Sequence, residues 1–437
     1  MIANDALAAC AARRSTLLAA MGEGIALIPT SREAARNRDS LYPFRHDSYF
    51  YYLTGFAEPE AVLVLIAGKT PKSILFCREK NPEREIWDGY RYGPDGACAT
   101  FGFDEARPIT ELAGALPQLL ADQAGVYTFV GADPGWDKTI TDALNGVRAL
   151  VRTGVSAPSV VYDARALLDA QRLIKDAQEI ALMRRAGEIS SLAHVRAMER
   201  TRPGQYEYQV EAELLHEFVR SGAREQAYSA IVASGANACV LHYRENNRKM
   251  ADGDLLLIDA GAEYDGYASD ITRTFPVNGK YSPEQRDLYD VVLAAQLAAI
   301  EKARPGVPWQ RVHDEAVHVA TQGMIDLGIL KLSFEQELEQ EGYKHFYVHN
   351  TGHWLGLDVH DVGEYQIDGE SRELEPGMVM TVEPGIYIPP NDTSVRKCFR
   401  GVGIRIEDDI AITKNEPLVL TGGLVKTADD IEALMAG

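Results

Sequence analysis

The chain has 437 residues, 25% of them charged and 46% apolar, and a formal net charge of −20. That length exceeds the usual reach of one hydrophobic core and makes two domains the default. The acidic excess repels phosphate backbones and anionic membrane surfaces, which excludes nucleic acid and membrane as partners.

From the N-terminus, Ala3 to Met21 reads as an amphipathic helix, because Glu23 interrupts any secretory apolar segment. Ala61 to Ala67, Ser73 to Cys77 and Gly125 to Val130 read as buried strands of a smaller α/β domain, residues 1–170. Thr153 to Ser159 is a loop before the boundary. A catalytic domain, residues 171–437, opens with a helical pattern from Leu173 to Arg200, whose predicted buried face holds Leu173, Ile174, Ala177, Ile180 and Ala181. It stops at Arg202-Pro203-Gly204. The breaker recurs as Arg304-Pro305-Gly306 after a helix from Pro283. Further helices follow each breaker, Tyr206 to Ser221 and Pro308 to Leu327, and then strand-rich sequence that leads to Asp259 in one case and Glu383 in the other. This order indicates an internal duplication: an α+β fold whose half-sheets bring matching carboxylates together across a pseudo-twofold axis. The five cysteines, Cys10, Cys77, Cys98, Cys239 and Cys398, never form a Cys-x-x-Cys pair. They make neither a disulfide framework nor a thiolate zinc site and point to a reducing, cytoplasmic setting.

Leu255 to Asp259 is an aliphatic strand ending in an acid, and Ala268 to Phe275 reads as its antiparallel partner around Glu263-Tyr264-Asp265-Gly266. A two-residue loop at Tyr264-Asp265 places Asp270 directly opposite Asp259; one at Asp265-Gly266 places it diagonally. Two carboxylates this close repel, and a bound cation relieves the repulsion. Met378 to Val382 repeats the pattern before Glu383. Gly403 to Ile412 alternates, so that Arg405 and Glu407 share a face, with Arg405 placed to serve Glu407. The segment from His349 to Asp361 holds three histidines. The i,i+4 spacing of His349 and His353 is not a zinc-protease helix, because Gly352 and Gly356 weaken a helix and the glutamate of His-Glu-x-x-His is missing. His242 precedes the first acidic strand. His46, His194, His216, His313, His318 and His345 are read as structural. Carboxylates with imidazole suit Mn²⁺, Fe²⁺, Co²⁺ or Zn²⁺, and four carboxylates match two metals about 3.5–4 Å apart sharing a hydroxide, a site for hydrolysis.

Leu257-Ile258-Asp259-Ala260-Gly261, Asp270-Ile271-Thr272-Arg273-Thr274-Phe275-Pro276, His353 to Asp361, Glu383-Pro384-Gly385-Ile386-Tyr387 and Gly403 to Asp408 resemble, in order and context, the motifs of the pita-bread metallopeptidases. That family includes methionine aminopeptidase, prolidase and Xaa-Pro aminopeptidase. Tyr49 to Phe56 and Ile86-Trp87 resemble the N-terminal domain of its bacterial Xaa-Pro aminopeptidases, which methionine aminopeptidases lack. The resemblance implies an aminopeptidase with two divalent metals, Mn²⁺ favoured, that cleaves N-terminal residues from peptides with penultimate proline. Asp259 would bind one metal, Asp270 and Glu407 would bridge both, and His353 and Glu383 would hold the other. Glu383 would shuttle a proton. His242 and His360 would contact substrate and stabilise the intermediate or protonate the prolyl nitrogen. His349 would line the pocket, and Arg405 would hold carboxylate geometry. Asn350 stands where relatives often have glycine. A homo-oligomer, dimer or tetramer, with contacts through the N-terminal domain is implied as well. Prolidase uses the same metal site on dipeptides. A pita-bread domain without metals, as a binding module or like creatinase, is disfavoured because all five ligand positions are filled.

Overall fold

A computed structural model describes residues 4–437. They form two compact units, one ending at Arg172 and the other beginning at Leu173.

The first unit opens with α1 (Asn4–Met21); Ala3, the predicted start, lies outside the described residues. Cys10, Arg14, Leu17 and Met21 are buried along one stripe, so the helix face carries a guanidinium as well as apolar groups. Arg14 Nη1 donates to the Leu53 carbonyl at 2.9 Å, which satisfies the buried charge. Six strands build a mixed sheet: β1 (Gly24–Pro29), β2 (Val62–Ala67), β3 (Lys72–Cys77), β4 (Glu105–Pro108), β5 (Val126–Thr128) and β6 (Val161–Asp163), in the order β4-β3-β2-β1-β5-β6. The three predicted runs are β2, β3 and β5. The sequence reading passed over β1, although it is an inner strand with an apolar run ended by Pro29. Helices α2 (Ser48–Thr54), α3 (Pro82–Asp88), α4 (Gly93–Phe101), α5 (Leu112–Leu120), α6 (Pro134–Ala149) and α7 (Arg165–Leu173) complete this unit's elements. Leu112, Leu116 and Leu120 of α5 and Ile140, Leu144 and Val147 of α6 close a core over Ile25, Leu27, Val64 and Ile74.

The second unit corrects the predicted helix at 173–200. The chain leaves the helix after Leu173, and α8 (Ala177–Arg200) starts afresh. Asp176 accepts from the Gln178 and Glu179 amides, both at 2.9 Å, and Glu179 returns a bond to the Asp176 amide at 3.0 Å. This capping box resets the helical phase. The buried face is therefore Glu179, Met183, Ala186, Ile189, Ala193 and Ala197, whereas Ala177 and Ala181 are exposed and Ile174 is 37% exposed.

The duplication is visible in the elements. Helix α8 is followed by Arg202-Pro203-Gly204 and α9 (Glu207–Arg220); later, α10 (Pro283–Lys302) is followed by Arg304-Pro305-Gly306 and α11 (Trp309–Asp326). In each breaker the glycine is left-handed, φ +90° at Gly204 and +77° at Gly306, and its amide bonds a carbonyl just before its own half's acidic strand, Met250 or Leu374, at 2.8 Å. The first half continues through β7 (Glu225–Gln226), β8 (Ile231–Ser234), β9 (Leu255–Asp259), β10 (Ala262–Tyr264), β11 (Tyr267–Ala268) and β12 (Thr272–Pro276). The second carries α12 (Phe334–Glu339), β13 (Gln366–Ile367), β14 (Glu370–Ser371), β15 (Val379–Val382), β16 (Gly385–Ile388), β17 (Val402–Arg405), β18 (Asp408–Ala411), β19 (Leu418–Val419) and α13 (Ala428–Ala436). Each half has a long hairpin that kinks once. The strands predicted as continuous, Ala268 to Phe275 and Gly403 to Ile412, are each split by that kink. At Gly261 the hairpin arms approach so closely that a Cβ would stand 1.7 Å from the Ser269 carbonyl oxygen. In the second half Pro384 has no amide to extend the ladder.

Candidate active site

The kinks concentrate the acids. In the first hairpin Tyr264 pairs with Tyr267 and Asp259 with Thr272. The loop is therefore Asp265-Gly266, both residues at positive φ (+48° and +84°), a mirror-image two-residue turn. Asp270 sits diagonally from Asp259, the second of the two registers left open by the sequence. In the second hairpin Val382 pairs with Asp408 and Gly385 with Arg405, and the common register sets Glu383 directly opposite Glu407. His353 arrives on an extended segment alongside β15: its carbonyl accepts from the Thr381 amide at 2.9 Å, and Trp354 bridges Met380. The halves are stitched where the Glu407 amide bonds the Thr272 carbonyl at 3.1 Å and Arg273 Nη1 bonds the Glu407 carbonyl at 2.6 Å. Arg273 is buried, paired with Asp408 at 2.8 Å. Burial works against the charge of Asp408, but Arg273 and Lys426 outweigh it and hold its carboxyl at about 2.

A cleft of about 600 Å³ is lined by every predicted site residue: Asp259, Asp270, His353, Glu383 and Glu407 with His242, His349, His360 and Arg405. Ligand atoms of Asp270, His353 and Glu407 lie within 4.8 Å of one another. Arg405, expected to serve Glu407, does so at one remove. Its Nη2 bonds Asp259 Oδ2 at 2.5 Å, its Nη1 bonds the Tyr387 hydroxyl at 2.8 Å, and it reaches Glu407 only through Thr272 Oγ1, 3.1 Å from Arg405 Nε and 2.6 Å from Glu407 Oε2. Tyr387 hydroxyl in turn lies 2.8 Å from His349 Nε2. His349 Nδ1 is committed as donor to the Asn350 carbonyl at 2.7 Å, so Nε2 accepts from the tyrosine, and burial keeps this imidazole neutral, near 4. His360 stands edge-on to His353 with ring centroids 4.3 Å apart, and His242 is exposed at the rim. Sequence reasoning missed Tyr228, whose hydroxyl donates to Asp259 Oδ1 at 2.6 Å and also contacts Asp270 Oδ1. No local pattern marks this tyrosine; only closure of the fold brings it to both acids.

The donor set fits divalent cations. His353 Nδ1 donates to the Trp354 carbonyl at 2.9 Å, which leaves Nε2 facing Asp270 Oδ2 at 3.4 Å and Glu383 Oε1 at 3.7 Å. A lone pair aimed at two carboxylates needs a positive charge between or upon them. Without metal the charge is a proton. Burial opposes it on His353, but Asp270 and Glu383 outweigh burial and raise the ring to about 9. Burial, reinforced by Asp270 and Asp259 against His353 and Arg405, lifts Glu383 from 4.5 to about 7. Burial and the neighbouring acids also raise Glu407. A carboxyl raised on folding stabilises the metal-free protein below its unfolded value and loses that contribution as pH climbs through the folded one. The metal-free protein is therefore expected to melt at progressively lower temperature from pH 4.5 to 7, the Glu383 window, with His353 continuing the trend toward pH 9. Added divalent metal is expected to erase the slope. Thermal melts at pH 5 and pH 7.5, with and without metal, check this; a flat metal-free profile counts against it.

Two kinked hairpins converging acids and an imidazole on one cleft define a pita-bread metallopeptidase. The chain belongs to metallopeptidase family M24, whose model matches residues 181–414. Residues 10–127 match the aminopeptidase P N-terminal domain. Among its relatives the chain is 48% identical to the Xaa-Pro aminopeptidase of Escherichia coli K12 over 426 residues, 97% of this chain and 96% of that protein. It superposes on the structure of Pseudomonas aeruginosa aminopeptidase PepP with TM-score 0.97 at 51% identity, covering 98% of each chain. Zn-substituted E. coli aminopeptidase P in complex with product matches with TM-score 0.96 at 47% identity, again over 98% of each.

Proposed function

We propose that the chain is a Xaa-Pro aminopeptidase: it hydrolyses the bond between an N-terminal residue and a penultimate proline, using two divalent cations, by preference Mn²⁺. The observation that carries this reading is the convergence of Asp259, Asp270, His353, Glu383 and Glu407 on one cleft with more acid than the nearby Arg405 offsets. Those five residues would hold the cations, oxygen-rich donors suiting Mn²⁺. Bound there, the cations supply an activated water and polarise the scissile carbonyl.

The chain's own residues do the rest. Arg405 holds Asp259 directly and Glu407 through Thr272, fixing the donor geometry before substrate arrives. Glu383 accepts a proton at its carboxylate oxygen and returns it to the prolyl nitrogen. His242 and His360 donate hydrogen bonds to the carbonyl oxygen or the leaving nitrogen. A prolyl amide has no N–H, so the apolar lining, including Ile231, Leu241 and Val359 beside His349, reads ring shape.

A homo-oligomer, dimer or tetramer, with contacts through the N-terminal unit belongs to the same reading, since soluble oligomers close symmetrically. Five free cysteines favour a reducing, cytoplasmic setting. Among the described residues no helix is long and apolar enough to cross a membrane.

The test combines metal content with rates on Xaa-Pro-Yaa tripeptides and Xaa-Pro dipeptides. Chelation is expected to abolish tripeptide cleavage and Mn²⁺ to restore it best. Activity in protein shown by elemental analysis to be metal-free, or cleavage of dipeptides alone, contradicts the reading. His242→Ala and His360→Ala are expected to keep both metals and lose ~10²–10⁴-fold in rate, whereas His353→Ala loses metal. Equal metal loss in all three variants contradicts the role assignment.

A further inference from the structure

The loop that carries His242 is built around a buried acid. Glu207, at the start of α9, is fully buried, and its carboxylate accepts from the Ser234 amide at 2.7 Å, the Tyr243 hydroxyl at 2.8 Å and the Arg248 amide at 2.8 Å. These bonds anchor both ends of residues 234–248 and pull Tyr243 inward. Its two neighbours, His242 and Arg244, are both exposed and both line the cleft. Two residues of chain span at most about 7 Å, so Arg244 stands one short step along the rim from His242.

Arg244 and Arg405 are the two guanidinium groups lining this cleft. Arg405 is buried and committed to Asp259, Tyr387 and Thr272. The Arg244 guanidinium, by contrast, has no hydrogen-bond or ion-pair partner among the described residues; its backbone amide alone bonds Glu245, at 3.3 Å. The scissile bond of the Xaa-Pro reading lies at the predicted metal ligands, one residue from the N-terminus, so the chain beyond proline leads outward to the rim, where Arg244 stands. A planar fork of donors suits a carboxylate.

We propose that Arg244 is a specificity-determining residue that pairs with a carboxylate on the far side of the proline, either the C-terminus of a short peptide or an acidic third side chain. This deepens the Xaa-Pro reading and rests on it. It makes short free peptides and peptides acidic after proline the preferred substrates.

The test uses the metal-loaded full chain at low ionic strength and two matched pairs: Ala-Pro-Ala against its C-terminal amide, and Ala-Pro-Asp amide against Ala-Pro-Asn amide. The first pair isolates the terminal carboxylate and the second the side chain. An exposed pair contributes up to about 1 kcal/mol, or roughly fivefold. In at least one pair the charged member is expected to show a KM ~2–5-fold below its neutral partner, with kcat alike. Arg244→Ala brings that ratio to one, Arg244→Lys keeps part of it, and salt weakens it. A wild-type ratio of one in both pairs overturns the inference. So does a ratio unchanged in Arg244→Ala, or a loss of kcat in that variant on all four substrates alike. Failure of the wild type to turn over any of the four refutes the Xaa-Pro reading itself, and this inference with it.

Discussion

Asp270→Asn is expected to reduce turnover by at least ~10³-fold and to lower the bound metal below two ions per chain, with the fold retained. The substitution keeps shape and removes one negative charge from the tightest group of donors, Asp270, His353 and Glu407. Asp270 faces His353 Nε2 at 3.4 Å and contacts the Tyr228 hydroxyl, and its amide is held by Asp409 at 3.1 Å. The backbone anchor survives the change, so the loss falls on the cation and not on the architecture. Metal charge stabilisation amounts to several kcal/mol of barrier, and ~4 kcal/mol is about three decades in rate. Elemental analysis, circular dichroism and steady-state rates on one preparation decide it. Near-normal turnover with two metals means that Asp270 holds neither.

Lys175→Met is expected to produce the largest loss of stability. Lys175 Nζ and Asp361 Oδ2 are 2.8 Å apart, and each side chain is only 1% exposed. Lys175 lies just before α8. Asp361 ends the segment that carries His353 and His360, and its amide bonds the Trp354 carbonyl at 2.9 Å. Gly356 leaves room for the pair: a Cβ there would stand 2.2 Å from Asp361 Oδ2 and 2.9 Å from Lys175 Cε. Removing the lysine takes the cation from a buried ion pair, which costs about 3–5 kcal/mol. In a unit of this size the melting temperature falls by ~10 °C. Adding Asp361→Asn removes the buried negative charge and is expected to recover most of the loss. Equal stability of Lys175→Met and the wild type rules out the pair as a clamp on the histidine segment, and failure of the double variant to recover assigns the loss to packing instead.

Local chemistry made much of the second unit legible. A five-residue aliphatic run closing on Asp259 is a buried strand wherever it is placed, and Val379–Val382 before Glu383 repeats it. The two Arg-Pro-Gly breakers each combine a missing donor with a left-handed glycine. Errors arose where a local pattern continued through a hidden stop. The apolar periodicity around Leu173 ran on past Asp176, whose capping bonds begin a new helix with a different phase. Both acid-bearing return strands looked continuous because side-chain alternation survives a kink even though the ladder does not.

The sequence by itself singled out Asp259, Asp270, Glu383 and Glu407, which the fold brings to one cleft, because residue type, order and strand-end position are local properties. Tertiary structure alone decided how they meet. It chose the diagonal of Asp259 and Asp270 through the Asp265-Gly266 turn, gave Arg405 to Asp259, 146 residues away, recruited Tyr228 to two acids, and closed the Lys175–Asp361 pair over 186 residues. Periodicity reaches only a few residues along the chain. Contacts between residues 31 to 186 apart in the chain exist only once the chain has folded, and no spacing in the sequence encodes them.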